Sequence, residues 1–172
     1  RLDLAAAATR AQALEPGGIP PMVRLTLLAE TLGGEPRGVF AEGLDESLLE
    51  TPSAIARIFR DAAPRRTYLL SARGTRDPNG RPLAFRWVLL RGDAERVAIR
   101  PQTADNGIVE IEVEWQDPGP VPGRPEIAGR RLDIGVFADN GAELSAPAFF
   151  SVAFPPGQTR RLAPDGRVLE ID

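Results

Sequence analysis

A chain of 172 residues with a formal net charge of −3 is long enough to bury a self-sufficient core, and without Cys it has no disulfide framework, thiolate nucleophile or zinc-thiolate site. His and Lys are absent too, all 21 basic residues being Arg, which excludes imidazole bases, histidine metal ligands, Schiff-base lysines and Ser-His-Asp, Cys-His or Ser-Lys catalysis and leaves only carboxylates for acid-base work. The arginines are scattered rather than gathered into a basic stripe, and no apolar run reaches the length of a membrane span, so neither nucleic-acid binding nor a spanning segment is expected.

Residues 2–14 are Ala-rich and free of Gly and Pro, which predicts a short helix, and Glu15-Pro16-Gly17-Gly18 ends it. Residues 20–32 fit two patterns: Val23, Leu25 and Leu27 alternate as in a strand, whereas Leu27, Leu28, Glu30 and Leu32 suit a helix, and the strand is preferred. Residues 33–38 turn the chain, residues 39–41 are placed to pair back, and residues 42–50 read as a linker. Residues 1–50 are therefore expected to form an N-terminal extension.

From Thr51-Pro52 onward, short strands separated by turn residues predict an all-β architecture, an antiparallel sandwich of about seven strands over residues 51–157. The strands are expected at residues 54–59, 67–72, 84–90, 96–100, 108–116, 131–138 and 148–154. In the fifth, Val109, Ile111, Val113 and Trp115 alternate with Glu110, Glu112 and Glu114, giving one apolar face and a row of carboxylates expected in water. Asp77-Pro78-Asn79-Gly80 has the residues of a type I turn, and Asn106-Gly107 and Asn140-Gly141 are hairpin signals. Residues 117–129 hold four prolines and three glycines, so a stiff exposed loop without ladder hydrogen bonds is expected there. Residues 158–172 read as a C-terminal hairpin turning at Pro164-Asp165-Gly166.

The run from Tyr68 to Trp87 resembles the polycystic kidney disease (PKD) family of Ig-like sandwiches. Gly74, Thr75, Asp77, Pro78, Gly80, Leu83, Phe85 and Trp87 match that family's turn and its aromatic-x-Trp strand. The stretch from Leu132 to Gly141 is similar to its next-to-last strand and the Asp-Asn-Gly turn that follows. The chain departs from the pattern at Arg91-Gly92-Asp93-Ala94, where the family has Gly-Asp-Gly, in lacking a His-x-Tyr, and in carrying the insertion at residues 117–129. The resemblance implies a periplasmic, cell-surface or secreted module of a larger exported bacterial protein. Its role would be to contact a protein or glycan partner or to act as a spacer. The alternative is an accessory domain of an exported carbohydrate-active or other hydrolytic enzyme whose catalytic residues lie outside this chain.

No residue is assigned a catalytic, cofactor-binding or metal-binding role, and no cofactor is expected. Asp77, Asn79 and Asp139 offer oxygens to calcium, but Asp77 has enough work in its own turn. Glu110, Glu112 and Glu114 lie about 7 Å apart along one strand face, a solvated row rather than a glycosidase pair in a cleft. Trp87 and Trp115 are expected in the core, Phe149 has no face dictated by pattern, and residues 117–129 are the best candidate for an interaction surface.

Overall fold

The computed structural model describes residues 3–13, 15–31, 46–60, 63–121, 123–155, 157–164 and 168–171. The expected turn at 33–38, the strand at 39–41, the first part of the linker and the tip of the C-terminal hairpin lie outside the described residues. The rest is mostly β, with one α-helix, α1 (Leu4–Gln12). Asp3 caps that helix by accepting from the Ala6 N–H at 3.0 Å, and none of its residues is buried.

One sheet has the order β1 (Thr26–Glu30), β4 (Arg65–Ser71), β7 (Ile108–Glu114) and β6 (Val97–Pro101). The other runs β2 (Ser47–Thr51), β3 (Ala54–Ile58), β11 (Ala148–Ala153), β10 (Arg131–Asp139) and β5 (Ala84–Arg91). All neighbours are antiparallel except β3 and β11. Alternation explains which side chains meet: Tyr68 and Leu70 of β4 and Val109, Ile111 and Val113 of β7 point inward, opposite Ile134 and Val136 of β10 and Phe150 and Val152 of β11. The rings of Tyr68 and Phe150 meet across the two sheets with centroids 5.0 Å apart. The two sheets share one core.

The N-terminal segment contributes more than an appendage. β1 pairs with β4 through a bulge, as the strand reading of residues 20–32 anticipates, and Val23 and Leu25 join the core. Residues 47–50, read from sequence as the end of a linker, pair with β3 as β2. The linker reading failed because an edge strand buries few side chains, so Leu48, Leu49 and Glu50 carry no burial pattern to read. Two arginines close the core at this side, each almost completely buried. Arg57 of β3 bonds Glu30 of β1 at 3.2 Å and Glu50 of β2 at 2.6 Å, and Arg66 pairs with Glu46. The Arg57–Glu30 pair joins β1, the edge strand of one sheet, to β3 of the other, and the Arg57–Glu50 pair extends the link to that sheet's own edge strand, β2.

Two hairpins complete the body. Residues 117–129, expected to be strandless, form β8 (Gly119–Val121) and β9 (Arg124–Gly129) in an isolated ribbon. A two-stranded ribbon has one free edge on each strand, so its prolines need not interrupt a ladder, and Gly123 turns the chain at φ +76°. The C-terminal hairpin, β12 (Arg160–Leu162) and β13 (Val168–Ile171), forms as expected and is anchored by Arg160. That guanidinium lies 3.5 Å from the Trp115 ring centroid and 5.1 Å from that of Phe59, and it donates to the Ala63 carbonyl at 3.1 Å. Phe59, Trp115 and Phe154 pack edge-on or tilted at one end of the core, and Arg160 lies over two of them.

Candidate functional site

At the opposite end, the Asp77-Pro78-Asn79-Gly80 turn closes with the Gly80 N–H donating to the Asp77 carbonyl at 3.1 Å, and Gly80 has φ +70°. The Asp77 carboxylate accepts from the backbone N–H groups of Asn79 and Arg81, both at 2.9 Å, and from the Asn140 amide at 2.6 Å. These bonds, the one from Asn140 foremost, hold its pKa below the ordinary carboxylate value. The carboxylate thus straps the β4–β5 turn to the β10–β11 loop. Asp139 turns the other way and pairs with Arg86 at 3.1 Å. No group of three or more acidic side chains suited to a metal ion occurs among the described residues.

The carboxylate row on β7 is not simply solvated. Glu110 and Glu112 both reach Arg100 of β6 at 3.3 Å, and Glu112 and Glu114 face Arg65 of β4 at 3.5 and 3.8 Å. Antiparallel register puts the arginines beside the glutamates, which sequence alternation along one strand cannot reveal. Trp115 is buried as expected. Trp87, expected to be core, is only partly buried: it packs against the core's margin and donates its indole N–H to the Asn106 carbonyl at 2.8 Å. It lies on an edge strand, where one flank of the ring has no neighbouring strand.

The remaining candidate lies on the outer face of the five-stranded sheet. Phe149, whose facing the sequence left open, points outward and is 40% exposed, next to Leu90, which is 44% exposed. With Val121 from β8 they line a shallow depression of about 450 Å³ together with Arg91, Arg131, Asp133 and Ser151. Asp133 is nearly buried and accepts from the Ser151 hydroxyl at 2.6 Å and from Arg131 at 2.8 and 2.9 Å. Arg91 has no carboxylate partner among the described residues. The interaction loop suggested by sequence therefore meets a sheet face whose exposed aromatic only the fold reveals.

Comparison with protein-family models, with curated proteins and with solved structures finds no significant match. A functional reading therefore rests on the chemistry of these residues. At the turn and along the carboxylate row, charged groups are engaged with one another or with the backbone. On the sheet face, an aromatic ring and a cation remain available.

Proposed function

We propose that this chain is a non-catalytic, PKD-like Ig-fold β-sandwich that serves as an interaction or spacer module of a larger exported bacterial protein. The strand orders support the fold assignment. β1-β4-β7-β6 corresponds to the A-B-E-D sheet of an Ig sandwich and β5-β10-β11 to its C-F-G sheet, with Trp87 on the strand equivalent to C, where Ig domains carry their tryptophan. Against the PKD pattern, Asp77 and Gly80 act as turn residues and Asn140 ties the two family-like motifs together.

The observation that carries the functional reading is where unused side chains lie. Asp77 and the β7 glutamates are tied into a turn and cross-strand pairs, while exposed Phe149 and Arg91, which has no carboxylate partner among the described residues, line one depression beside the β8–β9 hairpin. Groups suited to contact, on a rigid scaffold, favour binding over turnover. The test is to incubate the purified chain with panels of chromogenic glycosides, esters and peptides, and to probe glycan and surface-protein arrays in parallel. Binding without turnover is expected. Saturable hydrolysis that Glu112→Gln abolishes would overturn the non-catalytic reading.

A further inference from the structure

The depression beside β8–β9 lies on the face formed by β5, β10 and β11. β10 and β11 are flanked by strands on both sides, so their backbone donors and acceptors are used within the sheet. A ligand resting on β10 and β11 meets side chains rather than free backbone groups, since neither of these two strands has an open edge. Phe149 and Leu90 supply an exposed apolar platform, and Val121 lines the depression from β8. Arg131 is neutralised by Asp133, so Arg91 is the cation left over. Gly129 gives that cation its place: a Cβ at position 129 would overlap the Arg91 guanidinium and come within 3.2 Å of Val121. The guanidinium thus lies against the hairpin backbone, at the margin of the apolar platform.

We infer that this depression binds an acidic glycan, with the C–H face of a uronic acid ring on Phe149 and Leu90 and its carboxylate on Arg91. The inference rests on reading the chain as an interaction module. A planar guanidinium fork matches a carboxylate bidentately, and an exposed aromatic face suits the apolar face of a pyranose. The Arg131–Asp133–Ser151 network holds polar atoms in fixed positions beside the platform, where ring hydroxyls can reach them. A volume of about 450 Å³ suits one or two sugar rings rather than a long chain segment.

The experiment is a calorimetric and NMR titration of the whole chain with trigalacturonate, with the neutral trigalactose and with a Glu/Asp-rich hexapeptide, at low and at physiological ionic strength. Trigalacturonate should bind at least about tenfold more tightly than either of the others, a difference of about 1.4 kcal/mol. Arg91→Gln and Phe149→Ala should each weaken it about tenfold or more. Gly129→Ala keeps every charge but displaces Arg91, and it should weaken binding to a similar degree. Melting curves of the three variants establish that each is folded. Equal affinity for the neutral sugar, preference for the acidic peptide, no binding at millimolar ligand, or indifference to Gly129→Ala would each overturn the inference. Chromatography of the titrated sugar separates this outcome from the broader reading: absence of binding defeats the acidic-glycan site alone, whereas appearance of shortened sugar defeats the non-catalytic assignment.

Discussion

Replacing Arg160 by Ala should cost about 2.5–3.5 kcal/mol and release the C-terminal hairpin from the body. The guanidinium lies 3.5 Å from the Trp115 ring centroid and also faces Phe59. A desolvated cation–π contact contributes about 1–2 kcal/mol. The bond to the Ala63 carbonyl adds about 1.5 kcal/mol, because its donor is charged. The truncation also uncovers an aromatic cluster that the arginine stem shields. Arg160→Lys should recover less than half of the loss, since an ammonium keeps the charge but cannot lie flat on an indole. In a Trp87→Phe background Trp115 is the only indole, so urea unfolding followed by fluorescence reports on this contact directly. The Ala variant should show a lower unfolding midpoint and a red-shifted native emission. An unchanged native spectrum together with a stability loss below about 0.5 kcal/mol, the range of ordinary surface substitutions, would refute the assignment of Arg160 as the hairpin's anchor.

Acid should destabilise the protein partly through Asp105, whose pKa is lowered to about 2 by the Thr103 side chain, the Gly107 N–H and Arg73. A folded-state pKa below the unfolded value contributes stability that is complete above about pH 4 and is lost as pH falls through about 2. Discounted for solvent exposure this is about 1 kcal/mol, and Asp105→Asn should flatten the pH dependence of the urea midpoint in that window. Millimolar calcium and excess chelator should leave the melting temperature unchanged, because three accepted hydrogen bonds already occupy most of the Asp77 carboxylate; a calcium-dependent rise that Asp77→Ala abolishes would show a metal site instead. Deleting residues 1–18 should leave the melt nearly intact, since α1 buries nothing, whereas deletion through residue 31 removes β1 with buried Val23 and Leu25 and should cost at least about 3 kcal/mol. A sharp, unshifted melt of the longer deletion would mean that β1 is dispensable.

Local chemistry made much of the fold legible. In β7, Val109, Ile111 and Val113 alternate with glutamates because one face of that strand meets the core and the other does not. Gly80 and Gly141 stand at positive φ, where a Cβ would be strained, and Asn140 accepts in its own turn, so these turns announce themselves in sequence. What depends on neighbours distant in sequence was not legible. β2 is a separate case: its partner β3 follows after only two residues, but as an edge strand it leaves its side chains exposed and shows no burial pattern. The arginines beside Glu112 come from β4 and β6, the salt bridge of Arg57 with Glu30 spans the two sheets, and Asp77 finds Asn140 across 63 positions. The candidate groove has the same origin: Leu90, Val121 and Phe149 are scattered along the chain, and only the packing of a ribbon over a sheet brings them to one depression. Sequence periodicity records which face of an element is buried, while the identity of the partner on either face is a property of tertiary contacts alone.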